Sequence, residues 1–421
     1  MAKLKRASKS PKIKRAHNAK GSPDDELMDG IWDSSDIGAE DEDDLLPLKP
    51  ETSRAVVTST DWTTETIVHL FERKTIELDP SFQRREAWTQ VRKSRFIESL
   101  MMGLPIPQIV LAEKKGKQGQ FIVIDGKQRL LALQQFARTP DSNAPALVLG
   151  GLKNLKDLNG MTYEQLKGDS RFEDHLEAFR NQPIRAVVVK NWPDENFLYL
   201  VFLRLNTGSV PLAPQELRQA LHPGPFLVFV NEYSACSDGI QASLRISKPD
   251  FRMRDVELMI RYYGFKEFME SYRGNMKSFL DETCEKLNKR WATEDAAIRN
   301  TASELEKAIV ESKRIFPKGK LFSLCTDSVY EGRFNRTVFD IFTHYLSIPK
   351  VRKAIAGKQL RVRKLFEDLC DDDEFRSSLQ ITTKSLGAVH TRFSVFGEAL
   401  CRLTRLNLHV PKLVGKRLVV E

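Results

Sequence analysis

Hydrophobic positions between residues 55 and 222 switch between helical and extended spacing. In the segment 90–102, apolar side chains four apart lie on one side of a helix: Phe96 with Leu100, and Ile97 with Met101. Gly103 can end this helix, and the prolines at 105 and 107 prevent its continuation. The pattern predicts an amphipathic helix that is followed directly by extended chain.

Short apolar runs predict strands at 108–113, 120–124 and 183–190. The polar, glycine-containing stretch 114–119 is typical of a hairpin turn between the first two strands. The run at 120–124 is continuously apolar, as in a strand that is buried on both faces. A short strand or turn is predicted at 55–57, followed by a helix at 64–72 that Asp61 or Thr64 could cap. Further helices are predicted from Leu130 up to Pro140, at 194–205 and after Pro211.

Strand signals fade after about residue 225, and the apolar spacing becomes helical. Helical periodicity marks the segments 256–265, 276–291, 302–315, 336–347 and 395–405. A chain of 421 residues with 41% hydrophobic content is long enough for two or three domains. We therefore predict an α+β protein, with a small mixed sheet and helices in residues 53–222 and an all-helical domain in residues 223–421.

The first 44 residues separate opposite charges. Residues 1–20 contain eight Lys or Arg and no acid, whereas residues 21–44 contain eleven Asp or Glu and no base. Eight bases minus eleven acids give −3, so the formal net charge of +9 leaves +12 on the remainder. Residues 1–52 lack periodic apolar positions and are predicted to be a disordered tail. The basic remainder suits a polyanionic partner, although a lysine-rich protein without such a partner has the same composition.

Cysteine usage and hydropathy argue against several classes of protein. The five cysteines are odd in number and form no Cys-x-x-Cys pair, which argues against a disulfide scaffold or a structural zinc site. No apolar run approaches the length of a membrane span, and no hydrophobic segment follows the basic N-terminus as in a secretory signal. We expect a cytoplasmic protein without a membrane partner.

The candidate chemistry lies at the turn Asp125-Gly126-Lys127-Gln128-Arg129, between a predicted strand and a predicted helix. Gly126 permits backbone angles that other residues resist, and the N-terminus of the following helix attracts anions. Lys127 and Arg129 add charge, and Gln128 adds an amide donor. Asp125 could bind a divalent metal, orient a water or cap the helix. An ordinary Asp-Gly surface turn is the simpler alternative, and these five residues alone do not exclude it.

Two other segments carry similar groups. Phe82-Gln83-Arg84-Arg85 places an amide and two guanidinium groups ahead of Trp88, and arginine suits forked contact with phosphate oxygens. Leu205-Asn206-Thr207-Gly208 ends a predicted helix and precedes Gln215-Glu216-Leu217-Arg218. A helix C-cap at Gly208 explains the second segment equally well.

Taken together, these segments resemble the N-terminal domain of GmrSD-type restriction enzymes in order and spacing. The three matching elements are Phe82-Gln83-Arg84 with Trp88 and Gly103-x-Pro105-x-Pro107, Asp125-Gly126-Lys127-Gln128-Arg129-Leu130, and Arg204-Leu205-Asn206-Thr207-Gly208 with Gln215-Glu216-Leu217-Arg218. The resemblance covers roughly residues 55–220, with weaker motifs to about residue 405. The family's turn usually reads Asp-Gly-Gln-Gln-Arg, so Lys127 is a departure that leaves the nucleotide preference open.

The resemblance implies a fold similar to the ParB and sulfiredoxin superfamily and an activity of nucleotide hydrolysis, tied to anti-phage restriction of modified DNA. Carried over by position, the catalytic turn would comprise Asp125, Gln128 and Arg129. The nucleotide and its phosphates would be held by Gln83, Arg84, Gly126 and Lys127, and Asn206 would complete the pocket. A nucleoside triphosphate and DNA are the implied partners, with Mg²⁺ bridging the phosphates.

Full enzymes of this type also carry a His-Asn-His nuclease centre, which the sequence does not display. No two of its seven histidines stand at metal-ligand spacing, and His344 sits among apolar residues, as a core histidine does. No protein metal site is therefore predicted. A separate nuclease subunit is the expected partner for DNA cleavage, unless the chain only senses and signals.

Two other functions remain open at this point. The basic body could make the chain a non-catalytic ParB-like module that grips the DNA backbone. Alternatively, Asp125 and Lys127 fit the Asp-x-Lys end of a metal-dependent nicking nuclease, with Glu98 or Asp79 as the earlier acid. That signature is short and occurs often by chance.

Overall fold

The computed structural model describes residues 55–76, 78, 87–138, 145–205, 213–381 and 383–420, without the side chains of 202–205. Within these ranges, short β-branched runs form a four-stranded mixed sheet. Its strands are β1 (Val56–Thr63), β2 (Ile109–Glu113), β3 (Phe121–Asp125) and β4 (Pro183–Lys190). The strand order is β1-β4-β2-β3, with β4 antiparallel to β1 and parallel to β2, and β2 antiparallel to β3.

Helices of the sheet-containing part occupy the intervals between and after these strands. They are α1 (Thr64–Glu72), α2 (Gln90–Met101), α3 (Lys127–Phe136), α4 (Tyr163–Lys167), α5 (Glu173–Asn181), α6 (Glu195–Leu205) and α7 (Pro214–Leu221). Apart from β1 and α3, these strands and helices lie within two residues of the predicted segments wherever both boundaries were predicted. Helix α3 begins three residues before Leu130 and ends four residues before Pro140. The interval 141–182 holds short helices and loop, as expected, in its described portion.

The sheet is covered on both faces, which explains the continuous apolar run of β3. Ile109 and Leu111 of β2 point to the face that α1, α2, α3 and α5 cover, and Val110 and Ala112 point to the face that α6 and α7 cover. Side chains alternate along a strand, so a strand between two layers of helices needs apolar residues at every position. The end of β3 therefore lies between α3 on one side and α7 on the other.

Two sequence predictions at the start of this part are corrected. β1 covers eight residues rather than 55–57, because it pairs along its whole length with β4, from Val56 opposite Lys190 to Thr63 opposite Pro183. Neither Asp61 nor Thr64 caps α1. Thr63 does so, through a hydroxyl that accepts the Thr66 N–H at 3.1 Å.

The remainder of the chain is mostly helical, which confirms the predicted fold class. Its helices are α8 (Pro225–Cys236), α9 (Asp238–Leu244), α10 (Arg254–Glu267), α11 (Met276–Ile315), α12 (Arg336–Leu346), α13 (Pro349–Ile355), α14 (Gln359–Cys370), α15 (Asp373–Gln380) and α16 (Leu386–Thr404). Helix α11 joins the predicted segments 276–291 and 302–315 into one helix, with a local break at Glu294. No helix in the described ranges combines the length and apolarity that a membrane crossing requires.

Two short hairpins interrupt this helical part and were not predicted. They are β5 (Cys325–Thr326) with β6 (Val329–Tyr330), and β7 (Pro411–Val414) with β8 (Arg417–Val420). The turn of the first hairpin consists of Asp327 and Ser328, both with positive φ, which is the geometry that two-residue hairpins favour. These strands are too short for a periodic apolar pattern, so the sequence gives little signal of them.

The prediction for the tail at residues 1–52 falls outside the described residues.

The five cysteines all lie within the described ranges, and none of them is in a disulfide.

His344 on α12 is buried, as its sequence context predicts, and its ring packs edge-on against Tyr345 and Phe393. Burial, together with the charge of Lys266, lowers the pKa of His344 to about 3. An unfolded histidine titrates near 6.5, so between these values the unfolded chain binds a proton that the folded chain excludes. Stability therefore falls as the pH drops through this window, by up to about 1.4 kcal/mol per pH unit.

We expect His344→Gln to lose this component of the pH dependence. Between pH 6.5 and 4.5 the free energy of unfolding of the unmodified chain should fall by about 2–3 kcal/mol more than that of the variant. Urea denaturation at the two pH values measures the difference. His409→Gln removes an exposed histidine and should keep the original pH dependence. Identical pH profiles for the His344 variant and the unmodified chain would show that His344 is not buried in its neutral form.

Candidate functional site

The candidate turn begins where β3 ends at Asp125, and α3 starts at Lys127. Gly126 between them has φ +91° and ψ +13°, the left-handed region that favours glycine. A Cβ at this position would lie 2.8 Å from Ile109 Cγ2 and 3.2 Å from both Nε and Nη2 of Arg129. Gly126 is therefore required by its backbone angles and by the close approach of the Arg129 guanidinium.

Arg129 is turned inward and joins the two ends of the turn. Its Nη2 donates to Asp125 Oδ2 at 2.8 Å and to the carbonyl oxygen of Gln108 at 2.9 Å. Only 6% of the Arg129 side chain is exposed, against 14% for Asp125. Its Nε is buried and has no hydrogen-bond partner among the described residues. Arg129 thus holds the Asp125 carboxylate against the strand–helix junction and ties both to the entry of β2.

Lys127 is also buried, and its ammonium group forms an ion pair with Glu216 on α7. The other Glu216 oxygen accepts the Ala213 N–H at 2.7 Å and so caps the start of α7. Two of the three sequence elements that resemble the GmrSD-type domain are therefore in direct contact. From the sequence, Lys127 and Arg129 are charges added to the turn, and the structure shows that each of the two cations is in an ion pair with a carboxylate.

Gln128 is partly exposed and connects the turn to the chain before α2. Its Oε1 accepts the Trp88 N–H at 3.3 Å. The Trp88 ring packs edge-on against Phe96 and lies 5.0 Å from the Arg92 guanidinium, as expected of a residue at the rim of a core. The side chains of the turn that solvent reaches most readily are therefore an acid and an amide, Asp125 and Gln128.

Three of the predicted nucleotide-binding residues, Gln83, Arg84 and Asn206, lie outside the described residues. Their predicted roles are neither supported nor opposed by the geometry of the turn. Beyond the undescribed stretches, the Trp88 N–H contacts Gln128, and the Ala213 N–H is bound by the same Glu216 that pairs with Lys127.

Glu98, the alternative acid of a nicking nuclease, serves the structure of a loop. One of its carboxylate oxygens accepts the N–H groups of Asn154 and Leu155, at 2.7 and 2.8 Å. Burial alone raises the pKa of Glu98, but these backbone donors outweigh it, and the pKa lies below its ordinary value. Asp79, the other candidate, is outside the described residues.

Helix α7 also faces the helical part of the chain. Arg218 donates through Nη1 to Gln215 Oε1 at 2.7 Å and through Nε to Asp281 Oδ1 on α11 at 2.6 Å. Lys277 donates to the other Asp281 oxygen at 2.8 Å. Burial alone raises the pKa of Asp281, but the charges of Arg218 and Lys277 outweigh it and lower the pKa. The segment 215–218 therefore contacts the turn through Glu216 and α11 through Arg218.

Asp281 also belongs to a histidine–carboxylate cluster, which consists of Glu195, His222 and Asp281. His222 Nε2 is 3.1 Å from Glu195 Oε2 and 3.9 Å from Asp281 Oδ1. Burial lowers the pKa of His222, but the two carboxylates outweigh burial, and the pKa is raised. Sequence reasoning missed this cluster because its members come from the start of α6, the end of α7 and the middle of α11, with no short spacing to mark them.

Comparison with known proteins finds a family match for the segment that contains the turn. A family model described as the GmrSD restriction endonuclease N-terminal domain matches residues 67–223. Neither the curated proteins nor the solved structures contain a significant match to the chain. The matched segment includes α2, β2, β3, the turn, β4, α6 and α7. Residues 67–223 of this chain are therefore similar to the GmrSD restriction endonuclease N-terminal domain, as the sequence motifs predict.

Proposed function

We propose that the chain binds a nucleoside triphosphate at the turn 125–129 and hydrolyses it as part of an anti-phage restriction or DNA-surveillance system. The match of residues 67–223 to the GmrSD N-terminal domain is the observation that carries the proposal. The geometry adds support, because two contacts fix the position of the turn: the Arg129 hydrogen bond and the Lys127–Glu216 ion pair. A catalytic turn must be held rigidly.

The described residues suggest different roles for the side chains of the turn. Phosphate would approach the N-terminus of α3, where the helix dipole and backbone N–H groups favour an anion. Asp125 would orient the attacking water, and the Gln128 amide would donate to a phosphate oxygen or to that water. Arg129 and Lys127 would act as positioning residues, through Asp125 and Glu216 respectively. Gln83, Arg84 and Asn206 would complete the nucleotide site.

Magnesium is the proposed cofactor of this site. Proteins usually hold Mg²⁺ through one or two carboxylates together with phosphate oxygens and water. Asp125 supplies one carboxylate at the turn, which fits that minimal set, and its contact with Arg129 fixes the position of the group. When bound, the ion would neutralise charge on the phosphates.

DNA and a separate nuclease subunit are the proposed partners. The net charge of +12 outside the first 44 residues favours a polyanion. The turn itself is a poor candidate for gripping the DNA backbone, because Lys127 and Arg129 each have a carboxylate partner. Direct nicking through Asp125 and Lys127 is disfavoured by the same pairing. DNA is thus proposed as a regulator that binds at residues other than those of the turn.

Replacement of Arg129 by alanine is expected to lower phosphate release by about 10²–10³-fold, since Asp125 loses the group that orients it. Gln128→Ala removes a partly exposed side chain and should lower the rate with little loss of stability. Arg73→Ala, at the exposed end of α1, is the matched control and should keep full activity. Phosphate release is measured with saturating nucleotide and Mg²⁺, and thermal melts of each variant confirm folding. Unchanged release by both Arg129→Ala and Gln128→Ala would rule out the turn as the catalytic site.

A further inference from the structure

A second site is suggested by the histidine–carboxylate cluster between the sheet-containing part and α11. We propose that Glu195, His222 and Asp281 form a binding site for a divalent transition-metal ion of the zinc type. One imidazole and two carboxylates are a common donor set for such ions, whereas Mg²⁺ and Ca²⁺ prefer oxygen ligands alone. The proposal does not depend on nucleotide hydrolysis, because it concerns other residues and is tested by metal binding.

The spacing of the donor atoms fits one ion. Their ligand atoms all lie within 4.8 Å of one another. An ion about 2.0–2.1 Å from each of its ligands in tetrahedral geometry separates those ligands by roughly 3.4 Å. The His222 Nε2 distances of 3.1 Å to Glu195 and 3.9 Å to Asp281 lie on either side of that value. Small side-chain adjustments would therefore close the site around an ion.

His222 itself points to a ligand. Only 8% of its side chain is exposed, and its Nε2 lies close to two carboxylates, 3.1 Å from Glu195 Oε2 and 3.9 Å from Asp281 Oδ1. Without an ion this nitrogen forms an ion pair with Glu195, and a cation bound at the cluster would replace the Nε2 proton between the same two carboxylates. On the other side of the ring, Nδ1 lies 3.5 Å from Glu285 Oε1. Metal-bound histidines commonly have a carboxylate at the second nitrogen, which leaves the first as the lone-pair donor.

The surroundings hold two of the three ligands, His222 and Asp281, before any ion arrives. Asn288 on α11 donates to the carbonyl oxygen of His222 at 3.2 Å and accepts the Phe226 N–H at 3.0 Å. Arg218 and Lys277 hydrogen-bond the two oxygens of Asp281, as groups around a ligating carboxylate do. Glu195 begins α6, the helix that leads toward Asn206. An ion here would join the start of that helix to α11.

The three protein ligands leave at least one coordination position for water. Because the ligands lie at the start of α6, at the end of α7 and on α11, a bound ion would connect these elements, and its binding would stabilise the folded chain through mass action. We expect the melting temperature to rise on addition of Zn²⁺ and to return when a chelator is added.

Cobalt binding to the full chain tests this proposal. After treatment with a chelator and its removal, the protein is titrated with Co²⁺, whose visible absorption reports its ligands, and then with Zn²⁺ as competitor. One ion per chain should bind with visible bands that Zn²⁺ abolishes and Mg²⁺ does not. Glu195→Gln and His222→Gln should each weaken Co²⁺ binding at least tenfold and remove the Zn²⁺-induced rise in melting temperature.

The exposed pair His69 and Glu72 provides the control, since its side chains lie 2.7 Å apart on α1. His69→Gln should leave Co²⁺ affinity unchanged. Absence of one tight ion per chain, or equal affinity in the unmodified chain and in Glu195→Gln, would overturn the proposal and leave the cluster as an ion pair of protonated His222. Melting curves in chelator show whether each variant folds, and Glu195 is exposed enough for its replacement to be tolerated.

Discussion

Replacing Lys127 by methionine is expected to destabilise the protein by about 3–5 kcal/mol, because the substitution leaves the Glu216 carboxylate buried without the ammonium group that balances it. Both side chains are at least 95% buried, so solvent cannot compensate for the lost charge. Glu216 would still accept the Ala213 N–H, but one backbone donor replaces only part of the interaction. Equilibrium unfolding in urea measures the change.

A double-mutant cycle separates the interaction energy of the Lys127–Glu216 pair from the energy of burying each side chain. Glu216→Gln alone should also be destabilising. The double variant Lys127→Met with Glu216→Gln should lose less stability than the two single losses added together, by about 1 kcal/mol or more, as expected for residues in direct contact. The matched control Lys277→Met removes another buried lysine, which pairs with Asp281. Its effect should add to that of Glu216→Gln. Additive energies for Lys127 and Glu216 would mean that the two side chains do not pair.

Gly126→Ala is the substitution with the next largest expected effect, a loss of about 2–5 kcal/mol. A residue with a Cβ is strained at φ +91°, by about 1–2 kcal/mol. In addition, the new methyl group would meet Ile109 Cγ2 at 2.8 Å and the Arg129 guanidinium at 3.2 Å, so one of them must move. Displacing Arg129 would also weaken its hydrogen bond to Asp125, and phosphate release should fall together with stability.

Gly119 is the matched control for this substitution. It has φ +77° in the hairpin between β2 and β3, and nothing lies within 4 Å of the position a Cβ would take. Gly119→Ala should therefore show the backbone strain alone, about 1–2 kcal/mol, and keep full activity. Urea unfolding of both variants gives the comparison. Equal losses for the two glycines would indicate that Arg129 does not pack beneath Gly126.

The positions of β2, β3 and β4 and of most helices follow from apolar spacing alone, and the reason is visible at β3. Its continuous apolar run has cores on both faces, so burial fixes both its location and its length. The glycine turn at Gly126 was also predictable, because a strand that is followed directly by a helix needs a residue that accepts positive φ. What spacing could not predict is the length of β1, most of whose residues are exposed, since pairing with β4 rather than burial determines it.

Side-chain partners were the part of the site that the sequence could not supply. Lys127 appears from the sequence to be a surface cation, and only the packing of α7 against the turn brings Glu216 to it. Arg261 and Asp340, both fully buried in the helical part, are joined in the same way from separate helices. Pairs of this kind leave no local pattern, because their members are distant in the chain and each is polar. The charge balance of the turn and the His222 cluster therefore became visible only in three dimensions.

Nucleotide hydrolysis at the turn is best tested by the release of inorganic phosphate from a panel of nucleoside triphosphates, with Mg²⁺ and with or without DNA. We expect the full chain to hydrolyse at least one nucleotide and Gln128→Ala to lose this activity, with the melting temperature of that variant close to the original. DNA should change the rate. Absence of phosphate release from every nucleotide, or turnover that Gln128→Ala and Arg129→Ala leave intact, would contradict hydrolysis at the turn.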